Sequence, residues 1–368
     1  MKRILHRWPL WLAALLALLC VFSLWRFWAV SNLLTSQQAA ERWKGEGTEG
    51  FAQISCFMPP VAQLTLDDAY KFRNDMAQKL KGAGYDLENL KSLYHDAWST
   101  FRTVKVSNGR SSGDVQAIAV GGDFFDFHPL RLVSGSYIRP DDVMDDRVLL
   151  DKETAWLLFG AVDVAGLSFS LNGTPFVAAG VYEREKDVFS KTAYGDAMTI
   201  YMSFSAFQRL NSTDSALVDK GMESINTIAC YELIMAEPVR GFVYSSVTDK
   251  FPVKNTMFAE NTYRFDLDRL FRLFSNRISR SMLPSALAIP YWENAARAAE
   301  DRAVLWLVLA VVSGSFPVIL LLYTAVRSAV RGKRKLETEL LPGAKTRSRE
   351  FFRARSRRRW EKKHPGEY

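Results

Sequence analysis

Apolar residues gather into two long runs near the ends of the chain, Trp8 to Val30 and Ala303 to Val326, with shorter alternating and helical patterns between them. At about 1.5 Å per residue, each run crosses the roughly 30 Å of a bilayer's hydrocarbon. A core helix seldom goes that far with at most one charge. In the first run Trp8 and Trp11 stand about 25 Å along a helix from Trp25 and Trp28, as two aromatic belts require. Arg26 reaches the outer interface by snorkelling. The apolar core of a cleaved signal peptide is only about 7–15 residues long, so this run reads as an anchor. The second run has no charge. Its Ser313-Gly314-Ser315 and Pro317 are tolerated in membrane helices, where small residues permit close contacts.

Between the runs, Phe51 to Met58 reads as a strand closed by Pro59-Pro60. Thr65 with Asp67 and Asp68 opens an amphipathic helix to Lys81, carried by Ala69, Phe72, Met76 and Leu80. Thr100 to Val106 and Val115 to Val120 flank Asn108-Gly109 as a hairpin. This strand-helix-strand-strand order returns later as a strand at Thr227 to Ala236, a helix at Val239 to Phe251 and a strand at Thr256 to Glu260. Arg147 to Leu150, Ser168 to Leu171, Phe176 to Tyr182 and Met198 to Met202 read as strands, with a short helix at Lys152 to Phe159. Leu267, Leu270, Phe271 and Phe274 mark a helix expected to pack on the domain.

The net charge of +8 is unevenly spread. Residues 1–7 carry Lys2, Arg3 and Arg7, residues 327–368 carry 15 Lys or Arg against 5 Asp or Glu, and the body between them is left at −5. Basic flanks favour the cytoplasmic side, so both termini are expected inside a cell membrane and residues from about Ser31 to Arg302 outside it. From Tyr291 no Gly or Pro interrupts the chain until Gly314, so the second span predicts a helix of roughly 60 Å to Arg331, half of it a stalk beyond the bilayer. A stalk either transmits movement or only spaces the domain. Tyr291, Trp292, Glu293 and Arg297 sit where it leaves the domain. They are read either as a contact with the domain or a partner helix, or as an ordinary aromatic belt.

In the tail, Arg331, Lys333, Arg334 and Lys335, followed by Arg357, Arg358 and Arg359, form basic clusters suited to anionic lipid. No nucleic acid is expected as a partner. Gly343-Ala344-Lys345-Thr346 lacks the pattern of a phosphate loop, and His6, His95, His128 and His364 have no ligand spacing. The pairs Asp67-Asp68, Asp141-Asp142 and Asp145-Asp146 lack the alternation of a calcium loop and read as helix starts and turns. No nucleophile elbow occurs. The expectation is therefore no catalytic residue, no metal and no cofactor. Cys56 and Cys230 open the two repeated units in strands expected to be neighbours. A disulfide and two buried thiols both remain open, with the thiols favoured.

The run Ala119-Val120-Gly121-Gly122-Asp123-Phe124-Phe125, then Leu130 to Ile138 with Asp141-Asp142, Val148-Leu149-Leu150, Glu153 to Gly160 and Gly166 to Val181 resembles the external core domain of MacB-like (FtsX-type) ABC transporter permeases. The resemblance implies an α+β fold: an extracytoplasmic, porter-like βαβ lobe at about 45–120 and 223–285, with an inserted β-rich lobe at about 121–222. Two transmembrane helices flank it. The expected division is 1–30, 31–290, 291–330 and 331–368. Permeases of this family continue with two more membrane helices after a coupling segment. No later run here is long enough to span, so the expectation is a relative shortened to two spans. The implied role is a non-enzymatic subunit of an export or mechanotransmission complex, partnered by an ABC ATPase subunit and a full-length permease. The competing expectation is a membrane-anchored extracytoplasmic sensor or scaffold.

Overall fold

Alternation in the strands and 3.6-residue stripes in the helices gather the buried apolar side chains into two clusters, one on each face of a sheet. The computed structural model describes residues 8–59, 64–86, 88, 90–138, 145–195, 197–213, 227–275, 289–335 and 341–363. They fall into two compact units, Phe27–Leu305 and Met1–Arg26 with Trp306–Tyr368. In chain order the elements are α1 (Trp8–Ser31), α2 (Ala39–Lys44), β1 (Phe51–Phe57), α3 (Leu66–Gly82), α4 (Leu90–Leu93), β2 (Tyr94–Ser107), β3 (Ser112–Gly122) and α5 (Phe124–Phe127). There follow β4 (Arg131–Gly135), β5 (Arg147–Asp151), α6 (Lys152–Phe159), β6 (Ser168–Leu171), β7 (Thr174–Glu183), α7 (Val188–Tyr194), β8 (Thr199–Ser203) and α8 (Phe204–Thr213). Last come β9 (Cys230–Ala236), α9 (Phe242–Lys250), β10 (Met257–Glu260), α10 (Leu267–Ser275), α11 (Tyr291–Lys335) and α12 (Leu341–Lys363).

The described strands join in one mixed sheet of order β10-β1-β9-β2-β3-β8-β5-β7-β4, with β6 paired to β2 and β7. The two strand-helix-strand units interleave, because β9 lies between β1 and β2 and is antiparallel to both. Strands from residues 131–203 continue the sheet past β3 through a parallel β3–β8 pairing. β2 begins at Tyr94, six residues before the expected start. Its first half, Tyr94 to Ser99, is almost wholly buried and lacks the polar alternation that marks a half-exposed strand.

One face of the sheet packs Ile54, Cys56, Leu233 and Ile200 against Phe72, Met76 and Leu80 of α3, Val243 and Val247 of α9, and Phe207 and Leu210 of α8. The opposite face packs Phe57, Ile118, Leu149 and Tyr201 against Ala39 and Ala40 of α2, Phe124 and Phe127 of α5, and Tyr291 and Trp292 of α11. α3 begins with a capping box: the Asp68 amide donates to Thr65 Oγ1 at 3.2 Å, and the Thr65 amide donates to Asp68 Oδ2 at 3.3 Å. Thr65→Ala removes the cap and is expected to lower stability by about 1 kcal/mol, read as a shift in thermal midpoint. The Thr65 hydrogen bonds hold the Asp68 carboxyl below its ordinary pKa. A depressed carboxyl stabilises the fold above its unfolded pKa and loses that contribution as pH falls, so the deficit of the variant is expected to shrink at acid pH.

Cys56 and Cys230 lie on adjacent strands, but pairing places Cys56 opposite Tyr231 and Phe57 opposite Cys230. Side chains alternate along a strand, so the two thiols point to opposite faces, Cys56 into the first core and Cys230 into the second. The register thus excludes the disulfide that strand adjacency alone left open, and both cysteines are free. Burial, with Glu232 adding to it, pushes both thiols well above their ordinary pKa. Both are expected to resist alkylation in the native protein and to react fully on unfolding without reductant, as peptide mapping would read.

α10 packs on the domain with part of its stripe turned away from it. Leu270 is buried, whereas Leu267 and Phe271 are exposed. The helix is held on its far side by Arg269, which donates to the Glu260 carbonyl at 2.6 Å, and this orientation turns part of the apolar stripe outward. Asp67 and Asp68 lie in the first turn of α3. Asp145 accepts from Ser203 at 3.1 Å and from Ser205 at 2.7 Å. Asp141 and Asp142 lie outside the described residues, as do His6 and His364.

In the other unit, α1 and the later part of α11 are each long and apolar enough to cross a membrane. Phe22 meets the Trp306 ring edge-on at 5.8 Å, and Arg26 stacks over Trp306 at 5.5 Å. A side-chain carbon on Gly314 would come within 3.0 Å of Cys20 Sγ, so glycine is what permits this close approach of the two helices. Leu15, Leu18, Val311, Ile319 and Leu321 point outward, as lipid-facing side chains do.

Candidate functional site

The first turns of α11 do not stand clear of the domain. Ala295, Ala296, Ala299 and Ala303, at spacings of one to four residues in its first turns, are all buried. Glu293, Arg297 and Glu300 recur at intervals of four and three residues and so share one side of this helix. Arg264, on the turn between β10 and α10, is buried among them. Its Nη2 donates to Glu293 Oε2 at 2.6 Å, and its Nη1 lies 3.5 Å from Glu300 Oε1. Arg297 closes the group with a 2.9 Å bond to Glu293 Oε1. Burial alone would lower the pKa of Arg264. The facing Glu293 and Glu300 outweigh it and hold the guanidinium above its ordinary value.

From Arg264 a polar path runs into the sheet. Arg264 donates to Asn261 Oδ1 at 2.8 Å, Asn261 Nδ2 donates to Ser55 Oγ at 2.7 Å, and Ser55 Oγ donates to Glu232 Oε1 at 2.7 Å. Glu232 Oε2 then meets His128 Nε2 at 2.5 Å. The His128 ring lies 4.6 Å from Phe124 and 4.5 Å from Trp292, between elements α5 and α11. β1 and β9 position this path. Ser55 and Glu232 are opposite each other in register, on the face that α11 covers. A charge path buried this deeply persists only where each member has a partner. It can therefore fix the position of α11 on the sheet, and it presents no nucleophile to solvent.

The sequence-derived residues at the head of α11 meet here. Tyr291 stacks on Tyr194 at 3.8 Å, shares a 3.1 Å hydroxyl contact with Tyr201 and donates to Glu185 at 3.2 Å. Trp292 also meets Phe124 at 5.6 Å. Glu293 and Arg297 belong to the charged group already described. The basic residues lie elsewhere: Arg331, Lys333 and Arg334 are exposed near the end of α11, with Lys335 at its last position, and Arg357, Arg358 and Arg359 are exposed on α12. Among the described residues, no three His, Cys, Asp or Glu side chains gather as metal ligands would.

Arg264, Asn261, Ser55, Glu232 and His128 were not singled out from the sequence as one group. They come from four separate segments, and the one local signal that could have pointed to them is the seven-residue spacing of Glu293 and Glu300 on one helix face.

Residues 47–229 match the family described as the MacB-like periplasmic core domain. The chain carries a MacB-like core domain. The match takes in just under half of the 368 residues. No curated protein matches the chain. Among solved structures, the periplasmic region of MacB from Actinobacillus actinomycetemcomitans is 15% identical, covering 61% of this chain and 92% of that one, with a TM-score of 0.42. The extracellular domain of the noncanonic ABC-type transporter YknZ from Gram-positive bacteria is 13% identical, covering 53% and 88%, with a TM-score of 0.35. The assignment rests on the match over 47–229. This matched region contains β1 to α8, hence Ser55 and His128 of the polar path, whereas Glu232, Asn261, Arg264 and the head of α11 follow it.

Proposed function

We propose that this chain is a non-enzymatic membrane subunit that couples its MacB-like domain to an ABC-type export or mechanotransmission complex, with an ABC ATPase and a full-length permease as partners. The reading is carried by the buried Arg264–Glu293–Glu300 group, which ties the start of the helix bearing the second apolar run to the sheet. A movement of the domain would then act on that helix directly, as a rigid handle does, and not through a slack linker. Two membrane spans would place both termini in the cytoplasm, in keeping with the basic residues at each end. In this arrangement the Arg331–Lys335 and Arg357–Arg359 clusters would meet anionic lipid, each basic residue contributing about 1 kcal/mol near the surface. The proposed domain limits are 31–290 for the extracytoplasmic part and 291–330 for stalk and second span.

Purification of the full chain in mild detergent tests this. An ABC ATPase or a complete permease is expected to copurify. A solitary monomer or homodimer would reject the subunit role and favour an anchored sensor or scaffold.

A further inference from the structure

Helix α10 leaves much of its apolar arc uncovered. Leu267, Leu270 and Phe271 fall within about 100° of helix surface. Leu270 is buried, while Leu267 is 61% and Phe271 73% exposed. The helix is not free to roll and hide them. Arg269 fastens one side to the Glu260 carbonyl, and Asp268 and Arg272 pair at 3.2 Å on a polar flank.

The place of this helix in the domain indicates what covers the two side chains. Three residues before α10, Arg264 lies 3.5 Å from Glu300, and Glu300 is only about 4.5 Å along the helix from Ala303, where the charge-free second run begins. Phe265 and Asp266 line a cleft together with Phe27, Ser31 and Asn32, at the outer end of the first apolar helix. Within the domain unit, the residues that lead into both apolar helices, Phe27 to Asn32 and Glu300 to Ala303, are thus close to the start of α10. Exposed Leu and Phe with flanking Arg are the composition of a helix lying in a membrane interface.

We propose that α10 is a membrane foot of the extracytoplasmic domain, with Leu267 and Phe271 inserted into the outer face of the bilayer. The occupant of this surface is lipid, not a partner protein. The inference rests on the two-span arrangement proposed above.

The test uses the full-length protein in nanodiscs of phosphatidylcholine and phosphatidylglycerol in equal parts. Spin labels are placed singly at Leu267→Cys, Phe271→Cys, Asp268→Cys and Val311→Cys on a Cys20→Ala background, where Cys56 and Cys230 are buried and stay unlabelled. The labels at 267 and 271 are expected to be relaxed several-fold more by oxygen than by a water-soluble nickel chelate, like the label at 311 and opposite to that at 268. If 267 and 271 meet the chelate as freely as 268 while 311 does not, the foot is refuted and the spans stand. Protection of 267 and 271 from both reagents would also refute it, because that marks protein over the face. A chelate-accessible label at 311 would overturn the spanning arrangement, and this proposal with it.

Discussion

Arg264→Met is expected to destabilise the domain by about 3–5 kcal/mol, because it removes the buried guanidinium that faces both the Glu293 and Glu300 carboxylates in a site closed to water. For a domain of this size such a loss lowers the thermal midpoint by roughly 10 °C, measurable on the full chain in detergent. Adding Glu293→Gln and Glu300→Leu to the same chain is expected to recover much of the loss, since replacing a whole buried charge group by neutral side chains is often tolerated. A single variant as stable as the parent would mean that water reaches the carboxylates, and the handle ascribed to α11 would lose its basis. Because Arg264 also bonds Asn261, the loss is expected to spread toward Ser55 and Glu232 and to raise amide exchange in β1 and β9.

Gly122→Ala should be nearly as damaging, at about 2–5 kcal/mol. Gly122 has a φ of +64°, which costs an alanine about 1–2 kcal/mol, and its added carbon would stand 2.4 Å from the Asp96 carbonyl oxygen and 3.0 Å from the Trp98 ring. Neither neighbour can yield: Asp96 and Trp98 are on β2, hydrogen-bonded to both β9 and β3. Gly173→Ala is the contrast. Its φ is +85°, but nothing lies within 4 Å, so only the backbone cost of about 1–2 kcal/mol is expected. Equal thermal midpoints for the two variants would show that the close approach at Gly122 carries no weight. The requirement gives a physical reason for the Gly121-Gly122 step within the run that resembles the MacB-like domain, since Trp98 also presses on Gly121.

Much of this was legible beforehand, and the reason is local. Helix α3 was readable from Thr65, Asp68 and the Phe72–Met76–Leu80 stripe, all within one short segment. Helix α6, from Lys152 to Phe159, has its expected limits. The hairpin of β2 and β3 was readable from Asn108-Gly109, although the buried first half of β2 had no alternation to show. Local patterns left one packing detail unread: the stripe on α10 identified a helix that packs through Leu270, but a stripe does not say whether protein or another medium covers Leu267 and Phe271. Of the candidate site, Tyr291, Trp292, Glu293 and Arg297 were visible because aromatic and charged residues are conspicuous at the head of a long apolar helix. Their partners were not.

Two membrane-length runs, the sign of charge around them and the kinds of helix and strand between them are properties of short stretches, so the amino-acid order alone carried them. The opposed directions of Cys56 and Cys230, the meeting of Arg264 with Glu293 and Glu300, and the chain from Ser55 through Glu232 to His128 depend on strand register and on segments up to 177 residues apart. Such pairings exist only once the sheet has closed and excluded water. Burial then makes each charge depend on a partner that no neighbour in sequence supplies.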